Sequence, residues 1–241
     1  MNNPDHAAFA RNARDRAVFR DELDGFLPER IFDAHAHLFD AAIFKPGTVL
    51  PPKSCYRRFG GMFSLEQYLA WAAEWLPGRE IHLNSFGHPA TTVDLEAAAR
   101  YSGSIADNRR FFGMALVAPY DSPAALARRL ERHRLIGLKP YGCLVRGKPP
   151  AEVTIEDMLP PALMNLAEER GLPVTLHIPR EGRLADACNQ RQMKDFCRRY
   201  PNVKFIFAHI GRAYYLQNIV GQLTGIAACP NAFIDTAMVN H

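Results

Sequence analysis

Short, nearly continuous apolar runs alternate along this chain with longer stretches whose apolar residues recur every three or four positions. The short runs have the length and the β-branched and aromatic content of buried strands. The longer ones have the period of a helix. The first run, 31–38, follows the Pro28-Glu29-Arg30 break, and further strands are predicted at 80–85, 111–117, 136–141, 173–178, 203–208 and 232–236. Helices are predicted at 64–76, 91–107, 122–134, 154–170, 184–200 and 213–228. Ser64 has the character of an N-cap, with Gln67 three residues on, and Pro77-Gly78 stops that helix. Gly171 is a C-cap for the helix that ends at Arg170.

Strands alternating with helices of this length mean βα units and a parallel sheet. No G-x-G-x-x-G follows the first strand, which speaks against a dinucleotide-binding fold. Seven βα units without a reversal signal predict an α/β fold of the TIM (β/α)8-barrel type, with seven strands visible and the eighth missing. Residues 1–30 form a charged, helical N-terminal extension, with Phe9, Ala13, Val18, Phe19 and Leu23 as its apolar positions. Residues 31–241 form the barrel domain, incomplete at its C-terminus. It carries a lid-like insertion at 39–63 that contains Pro46, Gly47, Pro51-Pro52 and Gly60-Gly61.

Composition narrows the functional classes. A chain of 241 residues, 48% hydrophobic, suits one large α/β domain or two small ones. The net charge of +4 comes from scattered basic residues with no basic run among aromatics, so nucleic acid is not expected as a partner. No apolar run approaches a membrane span and the N-terminus lacks a signal-peptide core, so no membrane is expected either. Cys55, Cys143, Cys188, Cys197 and Cys229 form no C-x-x-C pair, and their odd number fits reduced thiols and a cytoplasmic location.

Chemistry in a barrel sits at the carboxyl ends of the strands. Strand one holds Asp33, His35 and His37. A side-chain period of two puts all three on one face, with Ala34 and Ala36 on the other, where a helix can pack close. Two imidazoles about 7 Å apart along a strand can turn toward one cation; the alternative is a pair of hydrogen-bonded core histidines. Strand four ends in Lys139 and Tyr141, strand five in His177 followed by Arg180, and strand six in His209 followed by Arg212. Four histidines thus converge on one end of one barrel. Three protein ligands with an open fourth position make the catalytic zinc arrangement. The expected cofactor is one divalent metal ion, zinc foremost, with manganese or cobalt as alternatives.

The cationic residues leave several readings open. Lys139 pairs with a substrate carboxylate, forms a structural ion pair or, as the resemblance given below implies, is carboxylated and bridges two metals. Arg180 and Arg212 fit a carboxylate bidentately, or pair with neighbouring loops. Tyr56, Arg57 and Arg58 of the lid loop either close over substrate or stay exposed. Asn84 is a better pocket candidate on strand two than His82. His88 is a loop residue, His133 lies on a helix surface, and Cys143 packs as a lone thiol.

The Asp-Ala-His-Ala-His opening, Leu-His-Ile after Gly-Leu-Pro-Val, and Phe-Ala-His-Ile-Gly-Arg after Pro-Asn-Val resemble the amidohydrolase superfamily. The branch is the amidohydrolase-related group that contains hydrolases and aminocarboxymuconate-semialdehyde-type decarboxylases. Phe233-Ile234-Asp235-Thr236 is similar to that group's seventh strand. The resemblance implies that His35, His37 and His177 hold the metal and that His209 gives and takes a proton. It also implies an aspartate at the end of strand eight. Asp235 fits strand seven and nothing after it supplies that aspartate, so the expectation is a C-terminally truncated or divergent member.

The expected function is hydrolysis of a small, carboxylate-bearing amide, ester or lactone by metal-activated water. The alternatives are a metal-dependent non-oxidative decarboxylase and a non-catalytic barrel that binds metal or ligand. The partner is a small anionic substrate, and an open barrel edge allows a homo-oligomer.

Overall fold

The computed structural model describes residues 10–52, 54, 56–57 and 61–238. All strands are parallel and lie in one sheet in chain order: β1 (Arg30–His37), β2 (Glu80–Phe86), β3 (Phe111–Val117), β4 (Gly137–Pro140), β5 (Pro173–Leu176), β6 (Lys204–Phe207) and β7 (Ala232–Ile234). Each falls within or beside a run that the apolar pattern marks. The sheet curls until Asp235, just past β7, hydrogen-bonds His35 on β1. Among the described residues β7 and β1 are not paired by their backbones, so this is a seven-stranded barrel open on one side.

Helices line the outside: α1 (Ala13–Val18), α2 (Leu65–Trp75), α3 (Leu95–Ile105), α4 (Pro123–His133), α5 (Ile155–Met158), α6 (Pro161–Arg170) and α7 (Ala187–Arg199). Their boundaries follow local chemistry. Ser64 and Gln67 form a reciprocal capping box at α2. Asp94, Ser122 and Asp186 cap α3, α4 and α7 through their side chains. Gly171 closes α6 in the left-handed conformation that a residue without Cβ adopts freely.

Two predicted helices differ. The stretch 154–170 is two helices, because Pro160-Pro161 removes an N–H and disfavours helical backbone at the residue before it. The stretch 213–228 is not one helix. It contains only the short turns Leu216–Asn218 and Thr224–Ala227, interrupted at Gly221, whose φ is +73°. Its Tyr215, Leu216 and Val220 are exposed.

The main core lies between β3–β7 and helices α4–α7, around Leu126, Leu163, Met193, Phe196 and Phe205. A second cluster packs α2 onto β1 and β2 through Tyr68, Ala72, Ala36, Ile81 and Leu83. A third lies under the 39–63 segment, where Phe39 and Ile43 are buried. That segment is tied down by bridges from Phe39 to Phe63 and from Phe44 to Val93; Arg58, Cys55 and Gly60 lie outside the described residues. In the N-terminal extension, α1 runs into a π-helical turn, Phe19–Leu23, and the guanidinium groups of Arg11 and Arg79 lie 5.2 and 5.7 Å from the Phe19 ring. The predicted helix residues 5–9 fall outside the described residues. No described helix is long and apolar enough to cross a membrane.

Strand β1 departs from strict alternation. Arg30 to Asp33 pair one-to-one with Glu80 to Leu83, but Ala36 then pairs with Ser85. The extra residue is a β-bulge, and it separates Asp33 from the histidines. Asp33 bonds Tyr68 of α2 on the outer side, whereas His35 and His37 pack on Phe86 inside. The expected shared face of Asp33, His35 and His37 is therefore corrected.

Candidate active site

The carboxyl ends of β1, β4, β5, β6 and β7 bring the histidines together. The ring of His35 lies 5.4 Å from that of His37 and 4.7 Å from that of His209. His177 stands 5.3 Å from His209 and 5.5 Å from Tyr141. The described group closest to a metal cluster is His35, His209 and Asp235, with one donor atom of each within 4.8 Å of the others.

Hydrogen bonds fix the rings. His35 donates from Nδ1 to Asp235 Oδ2 at 2.7 Å, and its Nε2 faces Lys139 Nζ at 3.4 Å. His37 donates from Nδ1 to the Gly87 carbonyl at 2.9 Å, and its Nε2 accepts the Tyr141 hydroxyl at 3.1 Å. His209 donates from Nδ1 to the Ala237 carbonyl at 2.7 Å. Partners of this kind select one tautomer and leave Nε2 as the basic nitrogen of His35, His37 and His209.

Asp235 is the residue that strand-by-strand reading set aside. Its carboxylate accepts His35 Nδ1–H, the His209 N–H at 2.8 Å and the Ala237 N–H at 3.2 Å. The reason is topological: among the described residues β7 is the last strand of the curled sheet, and the residue after it reaches β1. Its position just past a barrel strand was the available signal.

The turn carrying His209 is strained. His209, Ile210, Gly211 and Arg212 all have left-handed backbone, with φ of 57°, 51°, 64° and 58°. Left-handed helical backbone costs an L-residue about 1–2 kcal/mol. The turn is held by Ile210 N–H on the Asp235 carbonyl at 2.8 Å and by Arg212 Nη1 on the Ile178 carbonyl at 3.0 Å. Such strain concentrates where side chains must be aimed.

Burial dominates the electrostatics. It lowers the pKa of His35 against the opposing pull of Asp235, and it lowers His37 further, with Lys139 adding to the effect. His177 falls to about 2 through burial and the nearby Arg212. His209 is lowered by burial as well. All four imidazoles are neutral at pH 7, the form that ligates metal. Burial works to raise Asp235, but its bond from His35 and its backbone donors hold it below the usual carboxylate value. Lys139 is fully buried, lies 4.3 Å over the Phe86 ring, and is pushed down to about 7. Among the described residues it has no carboxylate partner at salt-bridge distance, which leaves the structural ion-pair reading without a partner. Arg212 has none either, and its buried Nε has no hydrogen-bond partner. Arg180 is engaged by Asp186 at 3.0 Å. Tyr141 is buried beside His37.

The other candidates lie outside this cluster. Asn84 is buried on β2 and donates to Met114 Sδ. His82 bonds Glu80, His133 bonds Glu96, and His88 sits among Phe39, Phe44 and Tyr56.

A family model described as amidohydrolase matches residues 32–241. The chain belongs to the amidohydrolase family. One solved structure shares the fold. The 5-carboxyvanillate decarboxylase of Sphingomonas paucimobilis is 17% identical, with 87% of this chain and 81% of that one covered and a TM-score of 0.52. The 2,6-dihydroxybenzoate decarboxylase from Rhizobium is 12% identical over 88% and 80% of the two chains, with a TM-score of 0.46. A TIM-barrel protein of Bordetella bronchiseptica is 15% identical over 72% of this amidohydrolase-family chain, which spans 59% of that protein's length, with a TM-score of 0.47. No curated protein sequence matches the chain.

The family implies a divalent metal, and the donor set fits one. Neutral imidazole and carboxylate are the ligands of catalytic zinc and related ions, and His35, His209 and Asp235 supply both kinds from buried side chains.

Proposed function

We propose that this chain is a metal-dependent hydrolase acting on a small, carboxylate-bearing amide, ester or lactone. The observation that carries the reading is the gathering of His35, His209 and Asp235 within ligating reach, beside the buried Lys139 and the half-buried Arg212, neither of which has a carboxylate at salt-bridge distance among the described residues. In this reading His35, His209 and Asp235 hold the ion, with His37 and His177, the ligands implied by sequence resemblance, beside them. A divalent ion there would polarise a carbonyl oxygen and acidify water.

The protein's own groups do the rest. His209 presents a neutral Nε2 to the ion, because its Nδ1–H is committed to Ala237 and burial lowers its pKa. Asp235 orients His35 and the strained turn below His209. Arg212 attracts the substrate carboxylate through a planar fork suited to it, joined by Lys139 in its protonated form. The Tyr141 hydroxyl offers a further polar contact beside His37. Arg180 stays in its ion pair with Asp186.

A second reading is non-oxidative decarboxylation at the same site. It is favoured by the fold neighbour that is a 5-carboxyvanillate decarboxylase and by the same Lys139 and Arg212. Product analysis separates the two. Carboxylated lactones, esters, amides and phenols are incubated with the zinc-, manganese- or cobalt-loaded protein in ¹⁸O-water. Incorporation of ¹⁸O without CO₂ release is expected. CO₂ release would transfer the assignment to decarboxylation, and turnover of nothing in the panel would count against both readings.

A further inference from the structure

The register of β1 against β2 decides where the site histidines point. Ala34 and His35 together face the single Asn84, because Asp33 pairs with Leu83 and Ala36 with Ser85. Along β2, Ile81 and Leu83 belong to the apolar cluster under α2, with Ala36 and Tyr68. Phe86 faces the other way, onto His35 and His37. Had the register of Arg30–Asp33 continued, His35 would stand opposite Ser85 and His37 opposite Gly87, on the α2 side with Asp33. One extra residue turns both rings inward, since a slip of one position exchanges the faces of a strand.

The bulge has its own support. Asp33 Oδ1 accepts the His35 backbone N–H at 2.9 Å. Asp33 Oδ2 accepts the Tyr68 hydroxyl at 2.7 Å. One carboxylate thus satisfies the bulged backbone and fastens it to α2. Tyr68 is buried, so the anchor is held by packing.

We propose that Asp33, anchored by Tyr68, is a positioning residue that holds the bulge and thereby aims His35 and His37 into the site. The inference rests on the reading of His35 as a metal ligand, but it concerns the backbone that presents the ligand. Asp33 itself touches neither substrate nor metal in this account.

The test titrates cobalt(II) into the full chain and its Asp33→Ala, Asp33→Asn and Tyr68→Phe variants. Visible absorption is read for coordination and circular dichroism for folding. The imidazole ¹⁵N signals of the metal-free proteins are recorded alongside. Asp33→Ala is expected to weaken cobalt binding about 10- to 100-fold, the range for supporting partners of ligands, and to alter the cobalt spectrum. Asp33→Asn keeps an oxygen for the His35 N–H and is expected to stay near the parent, with Tyr68→Phe in between. In the metal-free parent, His35 is expected to carry its proton on Nδ1, and Asp33→Ala to disturb that signal. Parent-like cobalt affinity, spectrum and His35 signal in Asp33→Ala would overturn the proposal. If that variant does not fold, parent-like values in Tyr68→Phe overturn it. A parent that binds no cobalt defeats the metal reading instead, and the His35 signals still decide the positioning role.

Discussion

At the scale of the residue, this protein invests in neutral, oriented imidazoles. His35, His37 and His209 each commit Nδ1–H to an oxygen acceptor, and burial keeps all of them uncharged. His88 is half-buried near His37. Its ring stands 5.3, 5.5 and 5.2 Å from those of Phe39, Phe44 and Tyr56, and its buried Nδ1 has no partner. Burial lowers its pKa below the ordinary histidine value. Between that lowered value and the unfolded value of about 6.5, the unfolded chain binds more protons than the folded one. Stability from this residue is therefore present above about pH 6.5 and is lost as pH falls below it. His88→Phe is expected to flatten the dependence of Tm on pH between roughly 7 and 5, read by thermal melts of both proteins. Parallel curves would contradict it. The four site histidines were legible because they end strands of recognisable pattern. Asp235 was not, because its partners are 200 and 26 residues away in sequence and meet it only when the sheet curls.

At the scale of the element, most strands and helix caps could be read from the chain, because caps and apolar runs are local. The failures were non-local or backbone-driven. Alternation assumes regular pairing, and the Asp33 carboxylate at the β1 bulge is bonded by Tyr68 of α2. The left-handed run at 209–212 has no composition that announces it, since Ile210 is a poor residue for φ of 51°. The 213–228 stretch had enough apolar residues for a helix, yet its glycines and exposed apolar side chains gave it turns. Close packing supplies a prediction here. Gly103 of α3 approaches α4 so nearly that a Cβ would lie 2.5 Å from the His133 carbonyl oxygen. Gly103→Ala is expected to cost about 1–3 kcal/mol by overpacking, a fall in Tm of roughly 2–4 °C per kcal/mol for a chain of this size. Metal content should not change. An unchanged Tm in a calorimetric melt would show that α3 and α4 separate freely.

At the scale of the molecule, the site is what joins the two ends of an open sheet. His35 stands on β1, His209 just past β6 and Asp235 just past β7, and among the described residues no backbone ladder joins β1 to β7. The barrel winding was legible from the βα rhythm. The way Asp235, just past β7, meets His35 was not, since it follows from the curl of the whole sheet. The central claim is that these three side chains hold one divalent ion. Metal content per chain, measured by mass spectrometry after purification with zinc, tests it directly in the parent and in His35→Ala, His37→Ala, His177→Ala, His209→Ala and Asp235→Ala. About one equivalent in the parent, and near loss in the His35, His209 and Asp235 variants, is the predicted result. A folded parent without metal, or His209→Ala and Asp235→Ala proteins that keep the parent's full content, would contradict it.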